Sequence, residues 1–478
     1  MNCSRRRAAI PLVAALSLFA GCAGGPPAEP QAARAKNVIL FIGDGMGVST
    51  VTAMRIYDGQ SRGETGEENV LSFERFPNVG LVKTYNTNQQ VPDSAGTATA
   101  INTGIKTRAG VIGIGPSSRR RNCEEARAAE LVTIADIARA NGKDYGIVTT
   151  TRITHATPAT VYAHSPERDW EADTYLTDAN RAAGCVDIAR QFVELPAELA
   201  PVITLGGGWR EFKPAGERGK RKDGVDLIAA WQAADPRRQY VRTARQLDAL
   251  STDGPVLGLF SRSHMPYEAL RDADSTLPGI VDMTKAAIDY LERRDKGYYL
   301  MIEGGRIDHG HHDGKPGLAL SEGQAFARAV AAAIERVDLD ETLVIVTADH
   351  SHVFTLAGYP TRGNDILGLV ISNDRSGEPE TEPVLGGDGT PYTTVGYANG
   401  PGAVRGERPM PETGQNAVAQ ALVPIEYTTI SGDIGHDETH GGEDVAIYAI
   451  GPGSDAVRGV IEQNRIFDIM SDAFGFPR

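Results

Sequence analysis

Short, continuous apolar segments recur along the chain, and each ends in Gly, Asp, Glu, Thr or another polar or small residue. They are NVILFIGDG, DYGIVTTT, PVITLGGG, PVLGLF, YYLMIEGG, TLVIVTADH and VAIYAIGPG. Runs of Val, Ile and Leu without alternation suit strands that are buried on both faces of a sheet. Segments with helical periodicity lie between them, namely ELVTIADIARANG, GIVDMTKAAIDYLERR and GLALSEGQAFARAVAAAIERV. The alternation predicts an α/β fold with a doubly wound, mostly parallel central sheet flanked by helices.

One stretch interrupts this alternation. Residues 360–430 are rich in Gly, Pro and Thr and have little periodicity. Connections of this length without structure of their own are uncommon in compact domains. We therefore expect a loop-rich subdomain at 360–430, inserted in a domain that spans residues 37–478. A long surface loop is the simpler alternative.

The first residues carry a targeting pattern. MNCSRRRAAIPLVAALSLFAGC has a basic head, an apolar stretch too short for an ordinary membrane span, and small residues before Cys22. This predicts a signal peptide over residues 1–21, and the FAGC sequence favours lipidation of Cys22 over simple cleavage. The sequence up to residue 36 then predicts a flexible tether over residues 22–36. We expect an exported protein of the periplasm or cell envelope, tethered to a membrane by its lipid.

Cysteine usage fits an exported protein. Apart from Cys3 and Cys22, the chain contains Cys123 and Cys185. Disulfides persist in oxidising compartments, so this even pair predicts a disulfide rather than two free thiols. On the chain-entropy model, a bond that closes so long a loop stabilises the fold by about 4 kcal/mol.

The charge balance excludes one class of partner. The formal net charge is −14, and no Lys/Arg-rich block suggests a surface for binding nucleic acid. Because an acidic surface repels anions, any site for an anionic substrate must supply its own local positive charge.

Acidic and histidine residues follow the predicted strands. They are Asp44, His155, Glu303, Asp349, His350 and His440. In doubly wound sheets, ligands bind at the carboxyl ends of the strands. Buried charges without compensation are very costly, so this many groups at one sheet edge predicts bound metal ions.

The segment RIDHGHHDG is the densest of these groups. Asp308 and His312 are four residues apart and would share one face of a helical turn. A carboxylate with an imidazole is suitable for zinc. His309 and His311 would lie beside the ligands or face solvent. A solvated, His-rich loop is the alternative.

Two turns carry further candidates. In NVILFIGDGMG the spacing is not that of a dinucleotide loop, and this favours a metal-binding Asp44 over a nucleotide site. Ser94, in VPDSAGTATAINTG, is most simply a helix N-cap. The same position suits a nucleophile, because helix amides stabilise anions. No G-x-S-x-G elbow surrounds Ser94, so a metal ion would have to lower the pKa of its hydroxyl.

The stretch TTTRITHATPATVYAHSPERDW adds three candidates. Thr157 is a hard oxygen donor, and Arg168 offers a bidentate fork that fits phosphate. His155 precedes them on the same stretch. Each is a weak indication alone, since most arginines are surface charges.

Together these stretches resemble the alkaline phosphatase family, in its animal-type pattern. The matching segments are NVILFIGDGMGVSTVTA, QVPDSAGTATA, GIVTTTRITHATPATVYAH, EGGRIDHGHHDG, VTADHSHVFTLAGYP and GEDVAIYAIGP. The resemblance implies a phosphoric monoester hydrolase that acts on small phosphate monoesters through a phosphoserine on Ser94, with Arg168 binding the phosphate. It also implies a homodimer, and it places residues 360–430 where the family has its crown subdomain.

The resemblance further implies two zinc ions and one magnesium ion per chain. The implied ligands are Asp308, His312 and His440 for the first zinc; Asp44, Asp349, His350 and the Ser94 oxygen for the second; and Asp44, Thr157 and Glu303 for magnesium. His155 is implied beside the magnesium ligands, and His309 beside the waters around the phosphate. The family's calcium site uses a Glu after GLF, where this chain has Ser261, so calcium is not expected.

Two alternatives stay open at this point. One is a phosphodiesterase or sulfatase of the same superfamily, although DSAGT lacks the sulfatase nucleophile context and diesterases often lack an equivalent of Arg168. The other is a non-catalytic phosphate- or metal-binding surface lipoprotein, in which Ser94 would be idle.

Overall fold

The computed structural model describes residues 34–272, 274–425, 427–428 and 434–476. These residues form seventeen strands, and ten of the strands make up one large sheet. The predicted signal peptide, Cys22 and the tether up to residue 33 lie outside the described residues. The strands are β1 (Asn37–Gly43), β2 (Asn78–Lys83), β3 (Asp144–Arg152), β4 (Ile203–Gly207), β5 (Gln239–Val241), β6 (Val256–Leu259), β7 (Tyr298–Glu303), β8 (Thr342–Ala348), β9 (Ser351–His352), β10 (Phe354–Leu356), β11 (Val395–Asn399), β12 (Ala421–Val423), β13 (Tyr427–Thr428), β14 (Ile434–Gly435), β15 (His440–Gly441), β16 (Val445–Ile450) and β17 (Gly459–Glu462).

Helices fill most of the connections between these strands. They are α1 (Val48–Gln60), α2 (Ser94–Thr103), α3 (Cys123–Arg127), α4 (Ile134–Ala140), α5 (Ala156–Ala159), α6 (Asp178–Ala182), α7 (Ile188–Glu194), α8 (Trp209–Phe212), α9 (Leu227–Ala233), α10 (Ala244–Leu247), α11 (Ile280–Glu292), α12 (Arg306–His312), α13 (Pro316–Ile334) and α14 (Arg465–Phe474). Short 3₁₀ helices lie at Ser72–Arg75, Asp173–Tyr175, Ala215–Glu217, Glu268–Leu270 and Ser454–Ala456.

The large sheet has the order β17-β2-β16-β8-β1-β7-β3-β4-β6-β5. Neighbouring strands are parallel except where β16 pairs with β2 and β8, to which it is antiparallel. The fold class is therefore confirmed as α/β with a mostly parallel sheet. The segment VAIYAIGPG departs from the expectation for its strand: β16 alternates buried and partly buried residues, so it is not buried on both faces.

Two groups of helices enclose the sheet. One group consists of α1, α11, α12 and α13, and the other of α2, α4, α5 and α14. Strands β1 and β3 are each contacted by both groups, so their residues are covered on both sides. This explains the unbroken apolar runs: β1, β7 and β8 are buried at every position. The ring of Phe41 on β1 packs edge-on against Phe326 of α13 at 5.7 Å.

The described residues of the stretch 360–430 contain little regular structure. Strands β11 and β12 lie there, and β11 pairs with β10 and β12 in a separate three-stranded sheet. Most of the other described residues of this stretch lie in turns, bends, isolated bridges and irregular segments.

The predicted disulfide is confirmed. Cys123 and Cys185 are bonded across a separation of 62 residues, with their Cα atoms 5.6 Å apart. They pack with Trp170 and Leu176 in a small apolar cluster apart from the main core. In the part of the chain that the structure describes, no helix combines the length and apolarity required to cross a membrane.

Candidate metal centre

Four adjacent strands bring the predicted residues to one sheet edge. The strands β8, β1, β7 and β3 are consecutive neighbours, and in their register Ile42 pairs with both Glu303 and Thr347. The residues that follow β1 and β8 therefore emerge beside Glu303. Asp44, Glu303 and Asp349 are all fully buried, which is unusual for carboxylates and demands compensating charge.

The first cluster forms around the carboxylate of Asp308. On helix α12 the Nε2 atom of His312 lies 3.3 Å from Asp308 Oδ1, which confirms that residues four apart share a helical face. His440 comes from the far end of the chain, and its Nε2 lies 3.1 Å from His312 Nε2 and 3.5 Å from Asp308 Oδ1. One carboxylate oxygen and two imidazole nitrogens thus converge on a space suitable for a zinc ion.

His352 joins this cluster and was missed by the sequence reasoning. Its Nε2 lies 2.9 Å from Asp308 Oδ1, and its Nδ1 lies 2.5 Å from Glu438 Oε2. Although burial opposes it, Glu438 and Asp308 raise the pKa of His352 to about 10. A protonated ring that donates to two carboxylates holds Asp308 in place. The segment DHSH could have predicted this neighbour of the cluster. His350 and His352 are alternate residues there, and alternate side chains of an extended segment point the same way.

The second cluster surrounds the hydroxyl of Ser94. Its Oγ lies 3.1 Å from His350 Nε2 and 3.5 Å from Asp44 Oδ1. His350 Nε2 also lies 3.3 Å from Asp44 Oδ1 and 3.5 Å from Asp349 Oδ2. These four groups meet at the carboxyl ends of β1 and β8 and at the start of α2.

The simple N-cap interpretation of Ser94 is wrong. Asp93 caps helix α2, since its Oδ1 accepts from the amide of Gly96 at 3.1 Å. Ser94 is the first helical residue, and it is 2% exposed with its hydroxyl turned toward His350 and Asp44. The Ser94 hydroxyl therefore does not cap α2.

The third group consists of buried atoms that find no hydrogen-bond partner among the described residues. These atoms are Asp44 Oδ2, His155 Nδ1, Thr157 Oγ1 and Glu303 Oε1. Asp44, His155 and Glu303 offer ligand atoms that lie within 4.8 Å of one another. Buried polar groups are otherwise nearly always paired. A hard cation such as magnesium, which prefers oxygen ligands, fits this set.

Arg168 is held at the mouth of the centre. Its Nη1 donates to Asp93 Oδ2 at 3.0 Å, and its side chain is 18% exposed. Burial opposes the charge of Asp93, but Arg168 and the amides of Gly96 and Gly110 lower the pKa of Asp93 below its usual value. Burial and the neighbouring Asp349 raise the pKa of Asp44, and Arg168 partly offsets this.

The remaining histidines of the RIDHGHHDG segment differ in their surroundings. His309 Nδ1 contacts Arg306 Nη1 at 3.0 Å, and its ring packs 5.4 Å from that of His155. His264, which the sequence did not single out, packs 4.3 Å from His309. His311 does not face solvent: it is fully buried, with Thr50 Oγ1 at 3.0 Å and the Tyr397 hydroxyl at 2.9 Å.

At His312 the neighbouring Asp308 outweighs burial and raises the pKa, but burial controls the protonation of three other histidines. It lowers the pKa of His155, His350 and His440, so these imidazoles are neutral and suited to bind a metal. Burial likewise raises the pKa of Glu303 to about 7, an effect that bonds from Thr149 and Thr151 oppose. A nearby divalent cation would reverse this increase.

A close backbone approach also shapes the site. Gly45 has φ of +67°, and a Cβ added there would lie 2.4 Å from His352 Nε2. Its amide donates to Asp349 Oδ1 at 3.1 Å. The turn after β1 thus orients a carboxylate instead of cradling a phosphate.

At the site where calcium was not expected, the Ser261 hydroxyl donates to the His264 carbonyl at 2.5 Å.

The fold and this centre define a metal-dependent α/β hydrolase with a buried serine and an anchored arginine. A family model for alkaline phosphatase matches residues 35–476. The chain belongs to the alkaline phosphatase family, whose members are phosphoric monoester hydrolases.

Similar proteins support this assignment. The tissue-nonspecific alkaline phosphatase of Gallus gallus is 44% identical over 461 residues, covering 92% of this chain and 84% of the relative. That of Homo sapiens is 41% identical over 462 residues, covering 92% and 83%. The alkaline phosphatase of Gadus morhua is 40% identical and covers 92% of both chains.

Solved structures agree in fold. The alkaline phosphatase of Thermus thermophilus is 26% identical, with a TM-score of 0.65, and covers 93% of this chain and 92% of its own. That of the Antarctic bacterium TAB5 is 23% identical, with a TM-score of 0.63, and covers 93% of this chain and 100% of its own.

Proposed function

We propose that this protein hydrolyses small phosphate monoesters to an alcohol and inorganic phosphate through a phosphoserine on Ser94. The observation that carries the proposal is the position of the Ser94 hydroxyl. It is buried between His350 Nε2 and Asp44 Oδ1 instead of capping its helix. A serine hydroxyl held among metal-binding groups suits attack on phosphorus, because a bound cation would lower the pKa of that hydroxyl.

The chain's own groups account for substrate binding. Arg168 is fixed by Asp93 and presents the positive charge that an acidic protein must supply to an anionic substrate. Its guanidinium can bind two nonbridging oxygens of a monoester at once. The amides at the start of α2 stabilise negative charge near Ser94. A diester has one fewer free oxygen for Arg168 to bind, so a monoester is the better substrate.

We assign two zinc ions and one magnesium ion to the three groups of side chains. Asp308, His312 and His440 would hold the first zinc. Asp44, Asp349, His350 and Ser94 would hold the second, and Asp44, Thr157 and Glu303 the magnesium. When bound, these ions lower the pKa of the serine hydroxyl and offset charge on the phosphoryl group.

His155 and His309 would complete the surroundings of the magnesium and the phosphate. Variants of the TAB5 enzyme have magnesium bound in the site named M3. One ring nitrogen of His155 lies within 4.8 Å of ligand atoms of Asp44 and Glu303, near enough for the imidazole to approach a third ion directly.

One experiment tests this function. The purified protein is given a phenyl phosphate monoester and the matching diester, before and after chelation, and its metal content is measured. We expect preferential monoester turnover that chelation abolishes, and labelled phosphate trapped on Ser94 at acid pH. Full activity of Ser94→Ala would refute the proposal, and better turnover of the diester would favour a phosphodiesterase.

We further propose that the protein is exported to the periplasm or cell envelope, anchored by a lipid on Cys22, and homodimeric. The signal and lipid pattern at residues 1–22 and the family resemblance support this. We also propose that residues 360–430 form a crown-like insertion in the catalytic domain. Mass spectrometry of the mature N-terminus and light scattering of the detergent-solubilised protein would test the anchor and the dimer.

A further inference from the structure

The threonines of β3 next to Glu303 have no role in the proposed chemistry. Thr149 lies on β3 directly opposite Glu303 of β7 in the parallel register. Thr149 and Thr151 are both fully buried, and both hydroxyls contact the same carboxylate oxygen, Glu303 Oε2. The Thr151 contact measures 3.0 Å.

A distortion of β3 produces this arrangement. In the pairing of β3 with β4, Val148 lies opposite Leu205 and Arg152 lies opposite Gly207, so three residues of β3 face one residue of β4. The amide of Thr151 has no regular ladder partner there and donates instead to Thr149 Oγ1 at 2.8 Å. Distortions of this kind re-aim side chains near active sites.

The two threonine hydroxyls are linked to each other as well as to the carboxylate. A hydroxyl has one hydrogen to donate. Thr149 Oγ1 accepts from the Thr151 amide and lies 2.7 Å from Thr151 Oγ1, so its proton goes to that hydroxyl or to Glu303 Oε2. The Thr151 hydroxyl makes a second contact with the same carboxylate oxygen. Glu303 Oε2 is therefore in contact with two hydroxyls, and the carboxylate cannot rotate without losing both contacts.

The other oxygen of this carboxylate is left over. Glu303 Oε1 is buried without a partner among the described residues, as are Asp44 Oδ2 and Thr157 Oγ1. We propose that Thr149 and Thr151 are positioning residues for the magnesium site, since they bind Glu303 Oε2 and leave Oε1 to the ion. This inference rests on the proposed function, because it concerns the magnesium assigned there.

The test is the affinity of the third site for Mg²⁺, measured in the zinc-saturated protein. Equilibrium dialysis against a series of free Mg²⁺ concentrations, with elemental analysis, gives the magnesium dissociation constant and the zinc content together. Removing a hydrogen bond to a metal-binding carboxylate typically weakens metal affinity about 10- to 100-fold. We expect this loss for Thr149→Val, with zinc content unchanged, and recovery in Thr149→Ser.

The matched control is Thr204→Val on neighbouring β4. Thr204 is fully buried and its hydroxyl is among those without a partner in the described chain, so the same change removes no contact to Glu303. Its magnesium affinity should equal that of the unmodified protein. Thr151→Val provides a second test if Thr149→Val does not fold. Its effect should be smaller, because Thr151 Oγ1 also contacts the Arg152 carbonyl at 3.1 Å.

Several outcomes would overturn the inference. Magnesium affinities of both valine variants within about threefold of the unmodified protein would do so, because the positioning effect is expected to be about tenfold or more. Equal loss of zinc and magnesium would also do so, since it would indicate general damage. A protein that hydrolyses monoesters but binds no third ion would overturn this inference alone. A protein that binds the ions but hydrolyses no monoester would refute the proposed function.

Discussion

The substitution Asp93→Asn isolates the contact that anchors Arg168. The carboxylate of Asp93 accepts four hydrogen bonds. Oδ1 accepts from Gly96 N at 3.1 Å and Asn86 Nδ2 at 3.0 Å, and Oδ2 accepts from Gly110 N at 2.9 Å and Arg168 Nη1 at 3.0 Å. The amide oxygen of the new side chain can take the place of Oδ1. Its NH₂ group would then occupy the place of Oδ2 and meet two donors, the Gly110 amide and Arg168 Nη1.

The expected loss of stability follows from these two lost hydrogen bonds. Leaving the Gly110 amide unsatisfied costs about 1–3 kcal/mol, and losing the charged bond to Arg168 costs about 1.5–3 kcal/mol. Water reaches the partly exposed guanidinium and reduces the second cost, so the combined decrease in the free energy of unfolding should be about 2–5 kcal/mol. A mobile Arg168 must also be ordered when phosphate binds, at about 0.5–1.5 kcal/mol. Phosphate inhibition should weaken about 2- to 10-fold.

Urea unfolding of the metal-free protein and the inhibition constant of inorganic phosphate for the holoenzyme measure these effects. Because the folded pKa of Asp93 is lowered, its contribution is full above its unfolded pKa of about 3.9 and is lost as the pH falls through the folded pKa. The difference between Asp93→Asn and the unmodified protein should therefore disappear in acid. Asp248→Asn, at an exposed carboxylate, is the control and should change stability by less than about 0.5 kcal/mol. A decrease under about 1 kcal/mol for Asp93→Asn, with phosphate inhibition unchanged, would refute this account of Arg168.

Further predictions concern the first cluster and the covalent cross-link. His352→Gln removes the charged ring between Asp308 and Glu438 and should weaken zinc binding about 10- to 100-fold by dialysis; unchanged affinity would show that Asp308 needs no support. In the metal-free protein, the raised pKa of His352 means that its contribution to stability is full below pH ~6.5 and is lost as the pH rises toward about 10. Denaturant titrations across this range should show the decline in the unmodified protein and a flatter profile in His352→Gln. Replacing Cys123 and Cys185 by Ala should lower the free energy of unfolding by about 4 kcal/mol with zinc content retained, because the bond lies in a separate apolar cluster. Loss of zinc in that variant would place the disulfide in support of the centre.

Local sequence patterns predicted much of the fold and of the site. The buried strands β1, β7 and β8 and the helices α11 and α13 were predictable because their periodicity survives in the folded protein. The pairing of Asp308 with His312 was predictable because both lie on one helical turn. Strands β2, β5 and β17 were not predicted. Strands β5 and β17 are short and lie at the two edges of the sheet, and β2 exposes alternate residues, so it has no continuous buried apolar run.

The sequence by itself determined the α/β class, the disulfide pair and the set of metal-binding residue types, because each depends on neighbours in the chain or on composition. Only the tertiary structure decided which oxygen or nitrogen each residue presents. It showed that Asp93 rather than Ser94 caps α2, that His352 and Glu438 support Asp308, and that β3 bends to bring two hydroxyls onto Glu303. These contacts join residues far apart in sequence, and strand register and side-chain burial, which no local pattern encodes, fix their geometry.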